Sequence, residues 1–147
     1  MPITLLTASI LGLIFVWLSF AVVRLRIGGT ASLGTGKETL GRGEDPKSQP
    51  LLVAVRTQAN FAEYVPLSLI LLGLLEGQGT APWIVVALGT ALIVSRLMHP
   101  LGMQMKSPNA FRAGGILLQW AILVLMAGIG IWRSAPVAIT LFGGNGG

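Results

Sequence analysis

The chain of 147 residues contains no cysteine. Disulfides, cysteine-built metal sites and a thiol nucleophile of the protein's own are thereby excluded. Histidine occurs once, too few for a histidine-built metal cluster, so no metal site is expected. Charge is scarce: charged residues make up 10% of the chain, against about 25% in an ordinary soluble domain. Acidic residues are the rarer sign, five against ten basic ones, for a net charge of +5. A basic excess can signal nucleic acid, but no basic–aromatic motif accompanies it, and no nucleic-acid partner is expected. What the chain has in abundance is apolar surface, with 53% hydrophobic residues and a mean hydropathy of +0.79. This is the composition of an integral membrane protein in contact with lipids, whose basic residues gather at the cytoplasmic surface.

The length leaves room for about four spans with short connections, hence one domain over residues 1–147 and an all-α bundle of four transmembrane helices. Ile3 to Val23 is the first apolar run. It lacks a positive leading region and a small-residue cleavage site, so it reads as a retained helix stopped by Arg24 and Arg26. Residues 28–50 are rich in glycine and charge and read as a loop. Their glycines do not form a phosphate-binding motif. Leu51 to about Leu75 is the second helix, with Pro66 expected to bend it just past Tyr64. Glu76 to Thr80 is a tight connection with Gly77 as a plausible residue just past the helix end. Pro82 to Met98 and Phe111 to Trp132 are the third and fourth spans, and residues 142–147 read as a disordered tail. Basic residues cluster in and beside the first and third loops. The positive-inside rule then places those loops in the cytoplasm and both termini on the opposite side.

The second helix carries the polar signal. Arg56, Asn60 and Glu63 are spaced i, i+4, i+7, which puts them within roughly 60° on one helical face, with Tyr64 beside them. Ionisable groups entering a membrane span are expensive and mark function. Helix three adds Arg96, His99 and Met103 at i, i+3, i+7, if the helix survives Pro100, and helix four adds Arg112, Gly115 and Gln119. Gln119 reads as an interhelical hydrogen bonder. Several arginines face one carboxylate. A surplus of guanidinium groups where water is scarce calls for an anionic ligand. A small zwitterion with extra carboxylates fits this inventory.

The motif Arg56-x-x-x-Asn60-x-x-Glu63-Tyr64-x-Pro66, in the second of four helices, resembles the signature of the MAPEG family. These are membrane-associated proteins of eicosanoid and glutathione metabolism, and the resemblance covers nearly the whole chain. It implies a homotrimer with glutathione, as co-substrate, bound between neighbouring subunits near the cytoplasmic face. By this resemblance Arg56, Asn60, Glu63, Tyr64, Arg96, His99 and Arg26 are glutathione-binding positions. His99 and Met103 stand where several members have tyrosine. Arg26 matches a first-helix arginine of the family, and Arg112 matches the arginine near the start of helix four that stabilises the thiolate. The implied function is a membrane-bound glutathione transferase or peroxidase that activates glutathione for attack on a lipophilic electrophile or hydroperoxide. A non-catalytic lipid-binding or scaffold member is the alternative. A small transporter is a weaker reading, since one acidic residue without a broken-helix pair gives it little support.

Overall fold

The structure is a computed structural model, and it describes residues 1–28, 49–105 and 109–143. Within these lie four α-helices: α1 (Pro2–Gly28), α2 (Gln49–Gly77), α3 (Pro82–Gln104) and α4 (Ala110–Gly143). All four are long and apolar enough to cross a membrane. The protein is an integral, multi-pass, all-α membrane protein. The first-loop reading lies almost wholly outside the described residues. The tail reading overlaps α4 at Phe142 and Gly143, and the remainder lies outside them.

Each helix exceeds its apolar run. Arg24 and Arg26 do not stop α1; they lie in its last turns. A charged side chain ends burial in hydrocarbon but leaves backbone hydrogen bonding intact, so the helix runs on. Both internal prolines, Pro66 in α2 and Pro100 in α3, are also carried inside continuous helices. In a membrane span neighbouring helices and polar side chains compensate for the missing donor. The end of α2 also differs from expectation. Gly77 is still helical, and the left-handed residue is Gly79, at φ +72°. The Thr80 amide donates to the Leu75 carbonyl at 3.1 Å and the Gly79 amide to that of Glu76 at 3.1 Å. This is a Schellman closure, in which only glycine adopts the left-handed conformation at low cost.

Glu76 therefore sits in the last turn of α2 rather than in a loop. Its carboxylate accepts hydrogen bonds from the amides of Ile3 and Thr4, at 3.0 and 2.7 Å, and from the Thr4 hydroxyl at 2.6 Å. An anion thus caps the free amides of the first turn of α1, where the helix dipole favours negative charge. At the same end Arg133 of α4 donates to the Gln78 carbonyl at 2.6 Å. Helix α4 starts with its own cap, the Asn109 Oδ1 accepting the Arg112 amide at 2.8 Å.

Helices α2 and α3 each touch all three others, whereas α1 and α4 do not touch each other. The centre of the bundle is thus the α2–α3 seam. Leu11, Phe61, Leu72, Val85, Leu92, Ile122 and Met126 fill it. The α3–α4 crossing is close at Gly115, where an added Cβ would lie 2.9 Å from the His99 backbone nitrogen and 3.1 Å from the Ser95 carbonyl. That approach brings the polar positions of α4 against those of α3.

Candidate functional site

The site grows from Arg96. In α3 the buried positions include Leu88, Leu92, Ser95, Arg96, His99 and Gly102, one helical stripe that faces the seam. Arg96 falls on it and is 1% exposed. Its Nη1 donates to Asn60 Oδ1 at 3.1 Å, and its guanidinium carbon lies 6.0 Å from the centre of the Tyr64 ring. Asn60 and Tyr64 stand four residues apart on α2, so one face of that helix presents an acceptor and a π-face to one cation. Its Nε makes a long contact of 3.4 Å with Ser95 Oγ. His99, one turn further along α3, is also buried.

Two polar atoms here are buried without a hydrogen-bond partner: Arg96 Nη2 and His99 Nδ1. Among the described residues no carboxylate forms an ion pair with Arg96. Leaving a buried donor unsatisfied costs about 1–3 kcal/mol, and more for a charged group. A guanidinium held this way has binding capacity to spare and a fixed direction in which to use it.

Below the guanidinium lies a second polar layer. Gln119 of α4 donates through Nε2 to Ser68 Oγ at 2.9 Å, and its Oε1 accepts from Ser95 Oγ at 3.3 Å. Ser68 in turn donates to the Tyr64 carbonyl at 2.8 Å. The expectation that Gln119 bonds between helices holds. Ser68 and Ser95 were not foreseen as members. Their only signal was position, Ser68 one turn after Tyr64 and Ser95 just before Arg96.

The structure therefore brings Asn60, Tyr64, Arg96 and His99 to the seam. It leaves Arg26, Arg56, Glu63 and Arg112 exposed on the single chain. The side chains of these four have no hydrogen bond or ion pair with another described residue. Arg56 and Glu63 lie on the outward side of α2, together with Pro66, Leu67, Ile70 and Leu74. The backbone of Arg112 packs on Gly102, one turn from His99, while the residue as a whole is exposed.

Beside the seam, α1, α2 and α3 enclose an open chamber of about 790 Å³. Trp17, Phe20, Arg24, Val53, Thr57 and Met103 line it. Met103 thus belongs to an apolar wall and not to the polar cluster. The chamber also touches Pro100, the residue after His99, and is large enough for one drug-sized molecule.

Comparison with known proteins gives a consistent result. The profile described as the MAPEG family matches residues 4–132. The chain is similar to the inner membrane protein YecN of Escherichia coli strain K12, with 31% identity over 130 residues, covering 88% of this chain and 91% of that protein. The YecN of Escherichia coli O6:H1 matches to the same extent. No solved structure matches significantly.

Proposed function

Since the chain belongs to the MAPEG family, we propose that it is a glutathione transferase-like enzyme that binds glutathione at the Arg96 cluster. The observation that carries this reading is the buried guanidinium of Arg96, which pairs with no carboxylate among the described residues and has an unpartnered Nη2. Glutathione supplies carboxylates for such a group, and arginine holds a carboxylate in two-point geometry. Asn60 and Tyr64 fix the guanidinium from one side. His99 Nδ1 adds a second unspent polar atom one turn away.

Arg56, Glu63, Arg26 and Arg112 enter the same reading through assembly. Charge exposed on the wall of a membrane span is costly unless protein covers it. A second copy against the outward face of α2 would cover Arg56 and Glu63, and a closed ring of three copies satisfies this for every subunit. In that homotrimer Glu63 receives the ammonium group of glutathione and Arg56 a carboxylate. Arg112, or a first-helix arginine such as Arg26 from a neighbour, stands beside the sulfur. A free thiol has a pKa near about 8.5 and is mostly protonated at neutral pH. A cation beside it favours the thiolate, which is the nucleophile. The thiolate attacks the electrophilic carbon of a lipophilic acceptor, forming a C–S bond as the leaving group departs with its electron pair. With a hydroperoxide it attacks the terminal oxygen and the O–O bond breaks. An alcohol is released after protonation, and a second glutathione reduces the resulting sulfenic acid to the disulfide and water. The apolar chamber beside His99 and Pro100 gives such a molecule a place next to the thiol.

The exposed side chain of Arg112 and the apolar setting of Met103 favour a second reading, a member that binds glutathione or an anionic lipid without turnover. Titration calorimetry in detergent, followed by an assay with a lipophilic aromatic electrophile, decides between them. The expected result is glutathione binding that falls more than tenfold in Arg96→Lys, together with thioether formation. Binding without turnover favours the second reading, and the absence of binding refutes both as stated for glutathione.

A further inference from the structure

We propose that Gln119 is a positioning residue that sets the direction of the Arg96 guanidinium. The consequence for ligand binding rests on the glutathione reading above. The polar layer has few protons to share, and their number fixes its orientation. Ser68 has one hydroxyl proton and directs it to the Tyr64 carbonyl at 2.8 Å. Towards Gln119 it can then only accept, so the Gln119 amide nitrogen must face it, at 2.9 Å. The amide oxygen is thereby turned to Ser95, 3.3 Å away. Ser95 Oγ accepts from Arg96 Nε at 3.4 Å and has one proton of its own to give, to Gln119 Oε1 or to the Leu92 carbonyl at 2.8 Å. The orientation of one amide therefore runs through two hydroxyls to the backbone beneath Tyr64 and to the inner nitrogen of Arg96.

Geometry gives this chain a mechanical role. Gln119 is 1% exposed and comes from α4, yet it grips α2 one turn after Tyr64 and α3 one residue before Arg96. It thus ties the two helices together at the level where the Arg96 guanidinium lies over the Tyr64 ring. Its own helix is held close by Gly115, one turn earlier, against the backbone of Ser95 and His99. Without the amide, Ser68 loses its donor and Ser95 one acceptor. Asn60 then remains as the one strong restraint on the guanidinium. The inner nitrogen is held from α3 and α4, and the outer end is left for ligand.

Tyr64 is the chain's single tyrosine, which gives a direct probe. The full-length protein in detergent, labelled with 3-fluorotyrosine, has one fluorine resonance that reports the cation beside the ring. Gln119→Leu and Ser95→Ala are expected to move it towards its position in Arg96→Ala. Both are expected to weaken glutathione binding about five- to tenfold, the size of one hydrogen bond. A purely structural lesion, Glu76→Gln at the far end of α2, is expected to lower the melting temperature and leave the resonance in place. If Gln119→Leu does not fold, Ser95→Ala carries the test, since it removes one oxygen and little volume. A wild-type resonance position in the folded variants overturns the proposal. So does a resonance that ignores Arg96→Ala, because no Arg96–Tyr64 contact would then exist to be positioned. Failure of the wild-type protein to bind glutathione would defeat the functional reading alone, and the fluorine resonance would still decide the role of Gln119.

Discussion

Replacing Gly115 by alanine adds one methyl group between α3 and α4, directly behind the Arg96 cluster. The new carbon would lie 2.9 Å from the His99 nitrogen, 3.1 Å from His99 Cα and 3.1 Å from the Ser95 carbonyl oxygen. All three are backbone atoms and cannot rotate away, so the helices must separate by several tenths of an ångström. Overpacking of this kind costs about 1–3 kcal/mol. The Ser95–Gln119 bond is already long at 3.3 Å, and separation breaks it. An interhelical hydrogen bond in a membrane protein averages about 0.6 kcal/mol. Alanine recovers up to about 1 kcal/mol through its helix propensity. The expected net loss is about 0.5–3.5 kcal/mol. Gly128, on the same helix, is the matched control, because nothing lies within 4 Å of a Cβ built there. Gly128→Ala is expected to be neutral or stabilising by up to about 1 kcal/mol. Reversible unfolding in mixed micelles of increasing dodecyl sulfate content measures both. Equal stability of Gly115→Ala and Gly128→Ala would refute the close α3–α4 approach on which the site geometry depends.

Three further outcomes are expected. Glu76→Gln should loosen the start of α1 from the end of α2, because one acceptor oxygen and the negative charge at the helix start are both lost; faster amide exchange at Ile3 and Thr4, with the rest of α1 unchanged, is the readout. If Arg112 stabilises the thiolate of bound glutathione as proposed, Arg112→Ala should raise the pKa of that thiol by about 1–3, the effect of losing an adjacent opposite charge. Turnover at neutral pH then falls and is partly restored as pH rises, and an unmoved thiolate absorbance titration passes the role to Arg96 or to a neighbour's first-helix arginine. For topology, a cysteine replacing the exposed Gln78 should react with an impermeant thiol reagent outside intact cells, while one replacing the exposed Met105 should not. The opposite labelling pattern would reverse the assigned orientation.

The hydrophobic runs alone determined that this chain is a four-span helical membrane protein, because a bilayer demands about 20 apolar residues per helix whatever the packing. Helical spacing alone placed Asn60 beside Tyr64 and Arg96 near His99, because side-chain direction along a helix is a local property. Helix ends were less legible. Arg24 and Arg26 interrupt the apolar pattern without interrupting the backbone, and the left-handed residue proved to be Gly79 because α2 continues through Gly77. Glu76 looked like a loop acid, and only the antiparallel placement of α1 against α2 made it the cap of another helix. The same holds at the site. Arg56, Asn60 and Glu63 share one broad face in sequence, yet Asn60 reaches the seam while Arg56 and Glu63 stay outside. That division depends on where α3 crosses α2, a distance set by packing across residues far apart in the chain. The tertiary structure alone decided that Arg96 is buried with no carboxylate partner among the described residues and that Gln119 stands behind it, since the pairing of a buried charge is a property of the assembled bundle and of no single helix.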